Sequence, residues 1–183
     1  MNTNKTQNTI QDLVYIGIFA AIIAVCSWIY IPLTVPFTLQ TMGIFTAIGV
    51  LGGKRGSLSV FVYILLGMMG VPVFSGMQGG VGVLFGKTGG YIIGFLLAAL
   101  AMWAMEKAFG NKKYTLPISM LIGLLICYAF GTAWFMVVTA SAANAASLLT
   151  VLGWCVFPFI IPDLVKIALA LFLSKRLKKV IRR

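Results

Sequence analysis

The sequence predicts an all-α integral membrane protein that forms one six-helix membrane domain over residues 1–183. Hydrophobic residues make up 61% of the chain and charged residues 9%, and the mean hydropathy is +1.04. This composition excludes an ordinary soluble domain. The net charge of +11 does not indicate a nucleic-acid partner, because the basic residues fall in short tracts between apolar segments. That pattern is typical of a multi-pass plasma-membrane protein embedded in the lipid bilayer.

Six apolar segments approach the roughly 20 residues that a membrane-spanning helix needs. The second and third are short, because about 15 helical residues reach only ~22 Å, so we expect adjoining loops to help them cross. The first segment is predicted to be a retained helix, since only Lys5 is basic before it and no small-residue cleavage site follows. The predicted helices cover about 10–31, 37–52, 57–70, 88–106, 115–139 and 148–174.

The basic residues set the predicted orientation of these helices. With six crossings and a cytoplasmic N-terminus, all basic residues except Lys87 and Lys166 fall on the cytoplasmic side, as the positive-inside rule requires. The outer loops over residues 30–37 and 139–144 carry no charge. We therefore expect both termini to lie in the cytoplasm.

The remaining outer loop, residues 71–90, is rich in glycine yet apolar, and Lys87 is its one charged residue. Glycine tolerates positive φ and close approach of the backbone. Non-helical backbone at membrane depth occurs only where protein or a cavity covers it. The loop is therefore predicted to be a hydrophobic lid over an outward-facing site, with Gly79 and Gly80 near a ligand. The alternative is a flexible outer loop without a role.

Asp163 and Lys166 lie three residues apart within the last long apolar segment. On a helix they would sit about 16 Å and 12 Å from the expected cytoplasmic boundary at Ser174, near the middle of a ~30 Å core. A charge at that depth costs at least about 2.5–3.5 kcal/mol. The spacing places both groups on one helix face, and Pro158 and Pro162 are predicted to interrupt the helix just before them.

Three explanations of this charged pair remain open: ligand binding, a self-neutralising structural pair, and ion or proton coupling. Buried pairs often contribute no net stability, which weakens the structural explanation. The chain has no histidine, and no second embedded carboxylate is predicted to pass a proton along. A self-sufficient ion- or proton-coupled transporter of small molecules is therefore the alternative to a ligand-capturing protein.

Several other classes of site are not predicted. The cysteines Cys26, Cys127 and Cys155 lie inside apolar runs without a CxxC pair, and histidine is absent, so neither a metal site nor a cofactor is expected. No reactive cluster indicates an enzyme. The stretch ending at Gly86-Lys87-Thr88 has Val81 where a nucleotide-binding loop requires glycine. Any ATP hydrolysis would therefore belong to another polypeptide.

Other polar and small residues are candidates for binding or packing. Gln40, followed by Thr41, needs hydrogen-bond partners near the start of the second helix, either freed carbonyls or a polar ligand. Tyr91 is either an interfacial aromatic residue or a pocket wall. Small residues four apart on the first helix permit close packing within the protein or docking onto another membrane subunit. These pairs are Gly17 with Ala21 and Ala20 with Ala24.

Five stretches of the sequence together resemble the BioY family, whose members are biotin-specific S components of energy-coupling factor transporters. The resemblance extends over residues 15 to 170. One departure is Lys87, where the family usually has proline, and no family role is transferred to it. The stretches are VPFTLQT (35–41), LGGKRG (51–56), YILLGMMGVPVF (63–74), GKTGGYIIGF (86–95) and FPFIIPDLVK (157–166).

The resemblance implies a six-helix membrane protein that captures biotin from outside and works with a transmembrane coupling subunit and two ATPases. It also implies that Ala20 and Ala24 belong to the docking surface on the first helix. Biotin carries a ureido ring with two donors and one acceptor, an apolar bicycle and a carboxylate tail. As a hypothesis, Asp163 accepts from a ring N–H, Lys166 donates to the ring carbonyl, and Gln40 offers one donor and one acceptor. The aromatic residues expected to cover the bicycle are Tyr91, Phe74, Phe85 and Trp154.

Overall fold

The computed structural model describes residues 3–110, 112–140 and 147–181, and α-helices account for most of them. Residues 141–144 of the predicted outer loop, and Arg182 and Arg183 of the basic tail, lie outside the described residues. The helices are α1 (Thr3–Trp28), α2 (Gln40–Leu51), α3 (Gly53–Met68), α4 (Val81–Phe85), α5 (Gly89–Phe109), α6 (Thr115–Thr139), α7 (Leu148–Cys155) and α8 (Ile160–Ile181).

Four stretches of the described chain are long and apolar enough to cross a membrane: Thr9–Trp28, Gly89–Phe109, Thr115–Thr139 and Leu148–Lys179. The chain is therefore a mostly helical, multi-pass membrane protein. Helices α2 and α3 are shorter, at 12 and 16 residues. They fold back on each other at Gly52, whose φ of +84° suits glycine. Gly56 lets them approach closely, because a Cβ there would collide with Ile48.

A small β-hairpin replaces the helical residues that the sequence predicted around position 30. Helix α1 ends at Trp28, and strands β1 (Tyr30–Ile31) and β2 (Phe37–Thr38) pair antiparallel before α2 begins at Gln40. Pro32 and Pro36 explain the difference, because proline cannot donate to a helical ladder and restricts the residue before it.

The segment from residue 71 to residue 90 packs onto α1, α3 and α6. The indole of Trp28 donates to the carbonyl of Pro72 at 2.8 Å, and Ser27 Oγ donates to the carbonyl of Val73. The amide of Gly80 donates to the carbonyl of Gly67 at 2.7 Å. Farther along, the indole of Trp134 donates to the carbonyl of Gly86 at 3.1 Å. The segment is thus held at both ends by side chains or backbone of the bundle.

Glycines allow α5 and α6 to make the most extensive helix contact in the described chain. A Cβ at Gly131 of α6 would overlap the ring of Tyr91, and one at Gly90 of α5 would overlap Trp134. Helix α2 packs along α8 in the same way, since a Cβ at Gly49 would overlap Ser174. Side chains from the facing helix therefore occupy the space that a Cβ would need at each of these glycines.

The last predicted helix is divided into three pieces around Pro158, and the interruption predicted at Pro162 does not occur. Helix α7 ends at Cys155, a 3₁₀ turn covers Phe157–Phe159 with Pro158 inside it, and α8 begins at Ile160. Pro162 then occupies the first turn of α8, where the missing N–H costs no hydrogen bond. This arrangement places Asp163 and Lys166 in the first two turns of α8.

Candidate functional site

A cavity of about 240 Å³ lies among α2, α5, α6 and α8, and residues of the β-hairpin and of the segment around Phe74 also line it. Its apolar wall consists of aromatic and aliphatic side chains with two cysteines. Its polar wall consists of hydroxyl, amide and charged side chains. The polar lining residues are Tyr30, Thr38, Gln40, Thr41, Ser75, Gln78, Thr88, Tyr91, Tyr128, Asp163 and Lys166.

The carboxylate of Asp163 is the centre of the polar wall. Its side chain accepts hydrogen bonds from Lys166 Nζ at 2.7 Å, from Thr41 Oγ1 at 3.4 Å and from the hydroxyl of Tyr128. These partners come from α8, α2 and α6, so the carboxylate joins three helices. Asp163 is 3% exposed and Lys166 4%. A carboxylate has about four acceptor sites, so one position remains for a ligand donor.

The ammonium of Lys166 faces an aromatic ring as well as the carboxylate. Its Nζ lies 3.8 Å from the ring centroid of Phe37, within the range of a cation–π interaction. The ring of Phe37 in turn stacks on Phe159, with centroids 6.1 Å apart and planes 23° apart. A lysine has three N–H donors, of which Asp163 takes one. The ammonium can therefore donate to a polar ligand without leaving its acid partner.

Gln40 lines the cavity from the first residue of α2 and is held by Tyr63. Its Nε2 donates to the Tyr63 hydroxyl at 2.9 Å, and its backbone N–H donates to Thr38 Oγ1 at 3.3 Å. Tyr63 also meets Phe74 edge to face, with ring centroids 5.6 Å apart. The amide oxygen of Gln40 can accept a hydrogen bond from a molecule bound in the cavity. Gln40 therefore lies at the cavity, as the sequence suggested, and one of its amide N–H donors is already bonded to Tyr63.

The structure brings Asp163, Lys166, Gln40, Tyr91 and Phe74 to the same cavity, but it does not bring four other candidates there. The side chain of Phe85 is 69% exposed, because the single turn of α4 directs Leu84 inward instead. Trp154 is 47% exposed, since α7 buries Val151 and Cys155. These two aromatic residues therefore do not cover the cavity. The other two candidates, Gly79 and Gly80, are not among the lining residues.

Gly79 has a packing role instead of a ligand-facing one. A Cβ there would collide with the carbonyls of Gly70 and Val71, so the loop backbone itself occupies the space beside Gly79. Gly80 has a φ of +98° and donates to the carbonyl of Gly67. Both glycines are thus explained by the close fold of the segment onto α3.

Several cavity residues were not picked out from the sequence. Tyr128 lies mid-way along α6, 35 residues before the carboxylate to which it donates. Ser75 belongs to the loop after Phe74. Phe37 of the hairpin does not line the cavity, but its ring faces the ammonium of Lys166. A tyrosine hydroxyl in the middle of an otherwise apolar helix is the one signal available, because such a group needs a partner at membrane depth.

The small residues of α1 divide between the inside and the outside of the bundle. Ala20 is 2% exposed and Ala24 is also buried, so they pack against the core and cannot form an accessible docking surface. This corrects the surface expected from the sequence. Gly17 and Ala21 are exposed, and a Cβ at Gly17 would meet nothing within 4 Å. The exposed small residues of α1 are therefore Gly17 and Ala21.

The chain is similar in sequence and in fold to proteins of one kind. The model of the BioY family matches residues 1–183. A Thermotoga maritima protein named as biotin transporter BioY is 41% identical over 170 residues, which is 92% of this chain and 96% of that protein. A Pyrococcus horikoshii protein named as a probable biotin transporter BioY is 36% identical over 169 residues, with the same coverage of 92% and 96%.

A solved structure is similar over the full length of the chain. It is the crystal structure, at 2.1 Å, of the S component for biotin from an ECF-type ABC transporter. The TM-score is 0.81 and the sequence identity is 26%, and the match covers 100% of this chain and 95% of the other.

Proposed function

The chain belongs to the BioY family, and we propose that it takes up biotin as the S component of an energy-coupling factor transporter. The observation that carries this proposal is the buried pair of Asp163 and Lys166 beside an apolar cavity. Isolated charges at membrane depth are costly and are retained where they act on a ligand. The name of the ligand comes from the family, and the chemistry of the cavity suits that ligand.

The ureido ring of biotin binds at the polar wall. Asp163 accepts from a ring N–H at its remaining position, and Lys166 donates to the ring carbonyl. The amide oxygen of Gln40 accepts from the second N–H, and one of its two amide N–H donors is bonded to Tyr63. Hydrogen bonds to charged groups are worth about 1.5–3 kcal/mol each. The support for this assignment is the convergence of these three side chains on one cavity.

The apolar bicycle of biotin packs against Phe74 and Tyr91, which are buried in the cavity wall. Burying about 200 Å² of ligand surface at about 25 cal/mol per Å² contributes ~5 kcal/mol. With two or three charge-assisted hydrogen bonds, the gross gain is compatible with nanomolar affinity. The segment from 71 to 90 acts as the lid that excludes water. This role is supported by its glycine-rich, apolar sequence and by Phe74 and Ser75 in the cavity wall.

Native mass spectrometry tests the ligand directly. Protein purified in detergent from cells grown with biotin should carry a co-purified mass equal to that of biotin. Titration calorimetry on protein freed of ligand should then show tight binding of added biotin. A protein that carries no such mass and gives no heat with biotin contradicts the proposal.

We also propose that the chain crosses the membrane six times, with both termini in the cytoplasm. Residues 1–183 then form a single membrane domain. The positive tracts support this orientation, because Lys112 and Lys113 follow α5 and Lys175 and Arg176 lie within the last turns of α8. In this arrangement α2 and α3 supply two of the crossings despite their lengths. The cavity then opens toward the outside of the cell.

Cysteine labelling tests this orientation. Met77 and Tyr114 are well exposed, and the native cysteines are buried. In intact cells, a membrane-impermeant maleimide should label Met77→Cys but not Tyr114→Cys. Permeabilised cells should show both labelled. Labelling of Tyr114→Cys in intact cells would contradict a cytoplasmic connection between α5 and α6.

Transport requires a transmembrane coupling subunit and two ATPases, which supply the ATP hydrolysis that this chain does not. The exposed face of α1 around Gly17 and Ala21 is the docking surface for the coupling subunit. Its support is the small size and the exposure of these residues, which permit close helix approach in lipid. The alternative is a self-sufficient transporter, which would take up biotin in liposomes under an ion or proton gradient.

Enlarging the α1 face should separate binding from transport. The Ala21→Leu variant is expected to bind biotin within twofold of wild type, because Ala21 does not line the cavity. Biotin uptake by vesicles that contain the partner subunits should fall at least tenfold, since leucine prevents close helix contact. Ile18→Leu, also on the exposed surface of α1, is the control. Equal uptake by both variants would show that the docking surface does not include Ala21.

A further inference from the structure

Ser75 carries a buried hydroxyl that has no hydrogen-bond partner among the described residues. Ser75 is among the residues that line the cavity. A buried hydroxyl without a partner is destabilising unless a ligand or water supplies the missing bond. In the described chain, the other buried and unpaired side-chain oxygen is that of Ser174, which does not line the cavity.

A tight turn fixes the position of Ser75. The backbone N–H of Phe74 donates to the carbonyl of Gln78 at 2.9 Å, which closes the loop that contains Ser75. Gly76 has a φ of +71° and Met77 a φ of +56°. A non-glycine residue in the left-handed region is unfavourable and tends to occur near functional sites. The turn therefore adopts a strained backbone at the point where it meets the cavity.

Ser75 comes from a different part of the chain than the residues that surround the charged pair. Asp163 takes its partners from α2, α6 and α8. Ser75 comes from the connection between α3 and α4, and its neighbour Gly76 lies near the hydroxyl of Tyr30 on the hairpin. Apolar side chains, among them Ile92 and Phe95, also line the cavity. The cavity lining thus combines the charged pair, apolar side chains and Ser75 with its neutral hydroxyl.

When Asp163, Lys166 and Gln40 bind the ureido ring, the carboxylate of biotin still lacks a partner. Resting on the function proposed above, we propose that the Ser75 hydroxyl donates a hydrogen bond to the carboxylate of bound biotin. A carboxylate only accepts hydrogen bonds, and a hydroxyl can donate. The ureido ring occupies Asp163, Lys166 and Gln40, so the carboxylate is the remaining polar group of the ligand. Ser75 then determines specificity for the carboxylate tail of biotin.

Calorimetry with two ligands tests this assignment. The ligands are biotin and an analogue in which a methyl group replaces the carboxylate. The Ser75→Ala variant should bind biotin about tenfold more weakly than wild type, as expected for loss of one hydrogen bond to a charged group. Its affinity for the methyl analogue should change less than twofold. Ser75→Thr keeps the hydroxyl and should retain the preference for biotin.

Ser174→Ala is the matched control, because it removes the other buried and unpaired hydroxyl outside the cavity. It should bind both ligands like wild type. A wild-type protein that does not bind biotin contradicts the proposed function itself. If wild type binds biotin, an unchanged biotin affinity in Ser75→Ala overturns only the role of Ser75. An equal loss for both ligands overturns it as well, since the hydroxyl would then not act on the carboxylate.

Discussion

Replacing Asp163 with asparagine is expected to weaken biotin binding more than a hundredfold. The substitution leaves the ammonium of Lys166 buried without its acid partner, and it removes the charged acceptor of Tyr128. Breaking a buried ion pair by removing one member typically costs about 3–5 kcal/mol. The same change weakens the hydrogen bond from the ureido N–H, because a neutral amide is a poorer acceptor than a carboxylate. A hundredfold loss corresponds to about 2.8 kcal/mol, just below the lower end of this range, so a larger loss is expected.

Titration calorimetry at constant pH and salt measures this effect. Asp12→Asn is the matched control, since Asp12 forms a partly exposed ion pair with Arg55 at 2.9 Å and is not a cavity residue. Exposed pairs are worth about 0–1 kcal/mol, so the control should bind biotin like wild type. A biotin affinity within threefold of wild type in Asp163→Asn would refute the role of the carboxylate.

Gly67→Ala is expected to speed biotin dissociation at least tenfold and to lower the melting temperature. A Cβ at position 67 would lie well inside van der Waals contact with the ring of Phe74. Phe74 is fully buried and packs edge to face on Tyr63, so the ring has little space to move. Overpacking of this kind typically costs about 1–3 kcal/mol. Because Phe74 anchors the proposed lid, the strain should be relieved by loosening that segment.

Chase experiments with labelled biotin give the dissociation rate, and a thermal shift assay in the same detergent gives the melting temperature. Gly82→Ala is the matched control, because a Cβ there meets nothing within 4 Å. The control should leave both quantities unchanged. A Gly67→Ala variant that releases biotin at the wild-type rate would show that Phe74 does not hold a closed state.

The charged pair in the cavity lining could be located from the sequence because charges at membrane depth are rare. Asp163 and Lys166 stand out in an apolar segment, and their spacing on a helix places them on one face. The prolines before them predicted the interruption that the structure has at residues 157–159. The mostly helical architecture followed from composition alone, and the family resemblance over most of the chain named the ligand.

Contacts between distant segments could not be predicted, because spacing along one helix does not say what the next helix presents. Tyr128 and Thr41 reach Asp163 from α6 and α2, and no local pattern in the sequence links them. Small residues repeat on two faces of α1, and the pattern alone did not reveal that Ala20 and Ala24 face the core. Burial against α2 and α3 decides between the two faces. The same holds for the aromatic candidates. The sequence does not distinguish Phe74, which is buried, from Phe85 and Trp154, which are exposed.

The contact between Lys166 and Asp163 has a consequence for the energetics of uptake. Together the two side chains carry no net charge, and Ser75 and Gln40 are neutral as well. If biotin crosses as the anion, these groups leave its negative charge uncompensated within the cavity. Moving one elementary charge through a potential of 100 mV involves about 2.3 kcal/mol, and an inside-negative potential opposes the entry of an anion. Accumulation of biotin against that voltage therefore needs an external source of work. The neutral pair of Asp163 and Lys166 cannot provide it.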